Sequence, residues 1–114
     1  MFAGFIPAVS NKAAHSIRRA TIRAWDLPNR TGSSLEEFAG LVNPVLRGWI
    51  QYYGRFYKSA LNPVFDYLNR VLGRWATRKY KRFRRHKRRA MNWLGNLCRR
   101  EPSLFEHWSI GVQP

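Results

Sequence analysis

The stretch Asn43-Pro44-Val45-Leu46-Arg47-Gly48-Trp49-Ile50-Gln51-Tyr52-Tyr53-Gly54-Arg55-Phe56-Tyr57 decides how this chain is read. It has the pattern of a helix start followed by a helix body. Asn43 can act as N-cap, its side chain accepting from an orphan backbone N–H, and Pro44 at the first helical position loses no needed hydrogen bond. Val45, Trp49, Tyr52 and Phe56 recur at helical spacing, with Leu46, Ile50, Tyr53 and Tyr57 beside them, which makes a wide apolar face. Arg47, Gln51, Arg55 and Lys58 lie off that face. One helix thus offers aromatic bulk to a core and cations to a partner. Gly48 and Gly54 each cost about 1 kcal/mol against Ala, which suits a close approach by another helix better than one by a partner's backbone.

Upstream, Ser33-x-x-Glu36 and Ser34-x-x-Glu37 are both capping-box patterns, placing a short helix from there to about Val42. Asn43-Pro44 then kinks it or starts the next helix. Asp26 to Gly32 is a loop by its Pro, Asn and Gly content. Before it, Ser10 or Asn11 caps a helix through about Trp25. Ala13, Ile17, Ala20, Ala24 and Trp25 face inward, and Lys12, His15, Arg18, Arg19 and Arg23 face outward. Residues 1–9 read as a short extended segment in which Pro7 suits an edge.

Downstream, Asn62-Pro63 repeats the cap-and-proline device and opens a long helix to about Phe83 or Arg85. Val64, Leu68, Val71, Leu72 and Trp75 form its core stripe. At 100° per residue, Arg70, Arg74, Arg78, Lys81 and Arg85 fall within roughly 80° of one another, a basic stripe beside the core stripe. A last helix runs from about Lys87 to Arg100, with Ala90, Trp93, Leu94, Leu97 and Cys98 inward. Pro102 stops it, and Leu104, Phe105 and Trp108 fold back. The expected fold is an all-α bundle of about five helices with a short extended N-terminal segment. Its core includes Trp49, Tyr53, Phe56, Leu68, Leu72, Trp75, Trp93, Leu97, Phe105 and Trp108.

The composition narrows function. The 114 residues suit one domain, and 45% hydrophobic with 15% aromatic content supports a core. The net charge of +15, from 21 Lys+Arg against 6 Asp+Glu, works against compactness and calls for a polyanionic partner. No run of about 18 apolar residues exists to span a membrane. The single Cys98 cannot form an internal disulfide, and a cytoplasmic setting is the natural one. His15, His86 and His107 are isolated and Cys98 has no partner at ligand spacing, so neither a metal site nor another cofactor is expected. Nothing points to a catalytic triad or a phosphate-cradling glycine loop.

Residues 78–89, RKYKRFRRHKRR, hold nine of the 21 basic residues. A run this dense repels itself unless an anion neutralises it, which favours nucleic acid over a merely solvated face. The candidate nucleic-acid contacts are Arg47, Arg55, Lys58, Arg70, Arg74, Arg78, Lys79, Lys81, Arg82, Arg84, Arg85, Lys87, Arg88 and Arg89. Tyr80 and His86 lie among these cations and are candidates to stack on unpaired bases. Phe83 fits the core better. Tyr80 is open between the two roles, and His107 between a satisfied neighbour and an exposed contact.

The segment Leu46 to Tyr57, preceded by Ser34-Leu35-Glu36-Glu37-Phe38 and Asn43-Pro44, resembles the maturase-specific (X, or thumb) domain of group II intron maturase/reverse transcriptases. Trp75-Ala76-Thr77-Arg78-Lys79-Tyr80-Lys81, the apolar helix around Trp93, and Pro102-Ser103-Leu104-Phe105-Glu106-His107-Trp108 follow in the order of that family. Gly4-Phe5-Ile6-Pro7-Ala8-Val9-Ser10 resembles the strand-to-helix lead into the domain, so residues 1–9 would be the end of a missing polymerase domain and residues 10–114 the maturase-specific helical domain.

The resemblance implies an RNA-binding, non-enzymatic part of a larger protein. The polymerase's Tyr-x-Asp-Asp motif and the Cys/His-rich endonuclease domain of some members are absent. What carries over is gripping structured intron RNA and assisting its folding and splicing, with a polymerase domain supplied in cis or in trans. Three rivals stand beside it: a truncated, non-functional remnant of an intron-encoded reverse transcriptase, a general cationic nucleic-acid-binding module, and a membrane-active cationic helical protein.

Overall fold

The computed structural model describes residues 7–53 and 61–114, with side chains for 15–52 and 61–114. Five α-helices lie among them: α1 (Pro7–Trp25), α2 (Leu35–Tyr53), α3 (Asn62–Lys79), α4 (Lys87–Arg100) and α5 (Glu106–Ser109), with 3-10 turns at Leu27–Asn29 and Lys81–Phe83. No strand occurs among the described residues, so the fold is all-α as the sequence implies.

The core is built on α3. Its expected stripe of Val64, Leu68, Val71, Leu72 and Trp75 is buried, and so are Phe65, Asn69, Gly73 and Ala76. Only a narrow side, with Asp66, Arg70, Arg74 and Arg78, is left to solvent. α1, α4 and both 3-10 turns pack on it. At Gly73 a Cβ would collide with the Met91 Sδ, so the missing side chain lets α4 come close.

α2 begins as its sequence dictates. The Ser34 N–H donates to Glu37 Oε1 at 3.1 Å and the Glu37 N–H to Ser34 Oγ at 3.2 Å, a reciprocal capping box. The helix then runs unbroken through Pro44, so Asn43 is not an N-cap. Pro44 removes the hydrogen bond to the Gly40 carbonyl, but both residues are exposed and water can take that acceptor. The Asn43 side chain is used at long range instead. Its Nδ2 donates to the Leu104 carbonyl at 2.9 Å, and its Oδ1 accepts from the Glu106 N–H at 3.0 Å. Those two bonds dock the C-terminal segment, and Phe105 and Trp108 are fully buried there.

Two further expectations are corrected. Residues 7–9 belong to α1 and are helical rather than extended, while residues 1–6 of the expected segment lie outside the described residues. The inward side of α1 is also rotated. Ile22 is fully buried while Ile17 is 65% exposed, and Ala20 and Ala24 are exposed. The face that meets the bundle carries His15, Arg18, Ile22 and Trp25, and Trp25 stacks on Trp49 at 6.3 Å between centroids. The Arg18 guanidinium lies 5.3 Å from the Trp49 ring, a contact that lets a cation sit at a core edge.

The second correction concerns α3, which stops at Lys79 instead of reaching Phe83 or Arg85. Tyr80 is extended (φ −108, ψ 120), and Arg85 adopts a left-handed φ of 64. The aromatic rings explain the break. Tyr80 meets Trp75, Phe83 and Trp93 edge-on at 6.0, 5.9 and 5.4 Å, and Phe83 meets Trp93 at 5.7 Å. Turning the backbone buries these rings and folds α4 against α3. α4 then spans Lys87 to Arg100, with Ala90, Leu94 and Cys98 buried and Trp93 and Leu97 half-buried, as expected. Trp49 is half-buried too, whereas Tyr53 and Phe56 lie outside the described side chains.

Candidate nucleic-acid interface

No acidic residue occurs between Tyr67 and Arg100. This stretch folds as most of α3, a corner and α4, so the basic run is split over three conformations rather than one helix. Arg70, Arg74 and Arg78 stand exposed along α3 at a spacing of four. Lys81 and Arg82 stand on the 3-10 turn, Arg84 and Arg85 in the linker, and Lys87, Arg88 and Arg89 on the first turn of α4; all are exposed. Lys81 and Arg85 therefore do not continue the α3 stripe.

The electrostatics of this corner oppose folding. The N-terminus of α4 already carries the positive end of the helix dipole, and it has three cations and no acid in its first turn. The residue before it, His86, is exposed and makes no side-chain cap hydrogen bond. Backbone N–H groups, dipole and cations point the same way, an arrangement that attracts anions. Arg82 is steadied over the Phe83 and Tyr80 rings, at 4.7 and 5.5 Å from their centroids.

The other expected contacts are distributed differently. Lys79 is half-buried, with its Nζ donating to the Ser33 carbonyl at 2.8 Å and lying 5.2 Å from the Trp75 ring. Arg47 donates from Nε and Nη2 to Glu106 Oε1, at 3.2 and 2.8 Å, so it straps α2 to α5. Arg55 and Lys58 lie outside the described residues. Tyr80 is half-buried at the core edge, in edge-on contact with three rings.

The loop between α1 and α2 is stapled to α3. Trp75 Nε1 donates to the Arg30 carbonyl at 3.0 Å, Arg78 Nη1 donates to Asn29 Oδ1, and Asn29 Nδ2 donates to Asp26 Oδ1 at 2.8 Å. Beside this loop lies a cavity of about 280 Å³ whose walls include Arg23, Asp26, Asn29, Tyr67, Arg74 and Arg78. A second cavity, of about 300 Å³, lies between α3 and α4 and is lined by Arg70, Gly73, Arg74, Lys87 and Met91. Burial pushes the Tyr67 phenol up, but hydrogen bonds and charge from Arg23 and Arg74 outweigh it and hold the phenol below its ordinary value.

A family model for the group II intron, maturase-specific domain, matches residues 16–93. The chain belongs to that family. Membership implies a maturase-type function in intron splicing and an interaction with intron RNA. The maturase-specific match runs from α1 into α4, so it includes the basic corner and the walls of both cavities. It is the maturase-specific domain alone that is found, with no polymerase catalytic domain. No curated protein and no solved structure matches the chain.

Arg23 and Tyr67 are the residues that sequence reasoning missed. Tyr67 and Arg74 are seven apart and therefore share a helix face, a signal present in the sequence. The Arg23 contact is tertiary and has no local signature. Among the described residues, no group of three or more His, Cys, Asp or Glu could hold a metal ion, and no helix is long and apolar enough to cross a membrane.

Proposed function

We propose that this chain binds structured group II intron RNA and assists its folding and splicing without itself catalysing a step. The observation that carries the reading is the acid-free corner from α3 to α4, where exposed cations crowd a helix N-terminus that has no compensating acid. Like charge there costs about 0.3–1 kcal/mol per residue at the helix terminus. Phosphates would turn that cost into attraction. Arginine forks match phosphate bidentately, and A-form RNA is recognised mainly through its shape and backbone.

The proposed contacts are Arg70, Arg74, Arg78, Lys81, Arg82, Arg84, Arg85, Lys87, Arg88 and Arg89, joined by Arg55 and Lys58, with His86 free to stack on a base. Lys79 and Arg47, already engaged with Ser33 and Glu106, add field more than direct grip. The transesterification chemistry would reside in the intron RNA, with the protein holding its active fold. The setting would be the cytoplasm, and a polymerase domain, in cis or in trans, would complete the assembly.

Replacing Arg84, Arg85, Arg88 and Arg89 together with Ala tests this. Each lost phosphate contact flattens the log–log salt slope by about 0.7–0.9, so a drop of roughly 3 is expected if all four contact phosphates. Unchanged affinity and slope at physiological salt would refute the reading.

A further inference from the structure

Arg74 stands between the two cavities and forms a wall of each. On one side it faces Arg23, Tyr67 and Arg78; on the other, Arg70 and Lys87. Five cations from α1, α3 and α4 therefore converge on two adjoining hollows. Against them stands one carboxylate, Asp26, whose Oδ1 accepts from Asn29 Nδ2 at 2.8 Å. The Asn29 amide in turn accepts from Arg78 through its own oxygen. Asp26 thus orders one rim of the first hollow, and its charge offsets only part of the cationic wall.

Tyr67 fixes the arrangement. It lines the first hollow together with Arg23 and Arg74, whose hydrogen-bonding and charge hold its phenol below the ordinary value. A neutral phenol can hold two guanidiniums in place without cancelling their charge, as a carboxylate would. Holding them beforehand lowers the ordering cost that binding an anion would otherwise incur. Dispersed solubilising charges would not converge in this way, because their mutual repulsion favours separation.

The cationic lining of the hollows favours phosphate over a base. Tyr67 supplies the one aromatic ring among the described lining residues. Gly73, in the floor of the second hollow, leaves room that only the Met91 side chain enters.

We infer that these two hollows form a bipartite phosphate clamp, with Arg74 shared between them and Tyr67 as its positioning residue, which seats two neighbouring backbone phosphates of the bound RNA. This rests on the RNA-binding reading above, and it adds a defined docking point to a diffuse basic surface.

The test compares variants of the full chain for affinity to folded group II intron RNA at fixed salt. Arg100→Ala serves as the charge-matched comparator at the far end of α4. Arg74→Ala should weaken binding about tenfold more than Arg100→Ala, since it removes charge-assisted bonds in both hollows. Arg74→Lys should not restore it, because an ammonium lacks the fork. Tyr67→Phe, which changes no charge, should weaken binding several-fold with the salt slope preserved. Equal effects of Arg74→Ala and Arg100→Ala, with Tyr67→Phe silent, would overturn the clamp while leaving RNA binding intact.

A second measurement needs no variant. Inorganic phosphate is titrated into the wild-type chain at constant ionic strength, with arginine side-chain N–H signals followed by NMR. The clamp predicts saturable shifts confined to Arg23, Arg70, Arg74 and Arg78. Small, non-saturating shifts over all arginines would overturn it, whether or not the chain binds RNA.

Discussion

Taking the protein from pH 7 to pH 5 should cost it about 2 kcal/mol through one side chain, His107. That residue is completely buried, ringed by Phe65, Phe105 and Trp108. Its Nε2 lies 2.7 Å from Asn69 Oδ1, which also accepts from Trp108 Nε1 at 2.9 Å. The amide oxygen can only accept, so His107 donates from Nε2 and is the neutral Nε2–H tautomer. Its Nδ1 is buried and has no hydrogen-bond partner among the described residues. A proton there would place a cation and an unmatched donor in the core. Burial accordingly pushes the imidazole down to about 3.

In the unfolded chain histidine titrates near 6.5. Above that pH neither state binds the proton. Between about 6.5 and about 3 the unfolded state binds it and the native state does not, so stability falls with falling pH by about 1.4 kcal/mol per unit and levels off below about 3. Most of the fall between pH 6.5 and 5 precedes the ordinary range of the carboxylates. Urea unfolding followed by tryptophan fluorescence at pH 7, 6 and 5 reads it directly. In His107→Gln the side-chain amide can donate to Asn69 but does not titrate, so this slope should vanish. A wild-type stability that is flat from pH 7 to 5, or an equal loss in His107→Gln, would refute the reasoning.

Three other outcomes can be checked on the same material. Asn69→Leu removes the acceptor of two buried donors and the donor to the Val112 carbonyl; at about 1–3 kcal/mol per orphaned group, urea unfolding should show a loss of about 2–6 kcal/mol. Ser34→Ala breaks the capping box of α2 and should cost about 1 kcal/mol, or roughly 4–8 °C in Tm by calorimetry. Cys98 is fully buried, and burial pushes its thiol up against a partial pull down from Arg99, so iodoacetamide should label it far more slowly in the native protein than in urea.

What the sequence made legible was whatever has a local mechanism. The Ser34/Glu37 box, the span of α4 and the α3 core stripe all follow from contacts within a turn or two, and each stands in the structure. Asn43-Pro44 misleads because a local cap competes with a tertiary use: the same amide docks Leu104 and Glu106, some sixty positions away. The end of α3 misleads because the basic stripe stays in phase past Lys79, while the force that breaks the helix is the burial of Tyr80 and Phe83 on Trp93. The inward side of α1 is set by where Ile22 and Trp25 meet the bundle, and its many small residues give no strong preference. Within the candidate site, the cations are plain in the sequence. The pairing of Arg23 with Tyr67 is not, because it joins two helices with no shared register.

The measurement closest to the central claim is the affinity of the purified chain for a folded group II intron RNA over a salt series, with scrambled RNA and duplex DNA as competitors. A maturase-type RNA-binding domain should bind the folded intron tightly, with a steep salt slope, and resist both competitors. Weak and equal binding to all three polyanions would contradict the account.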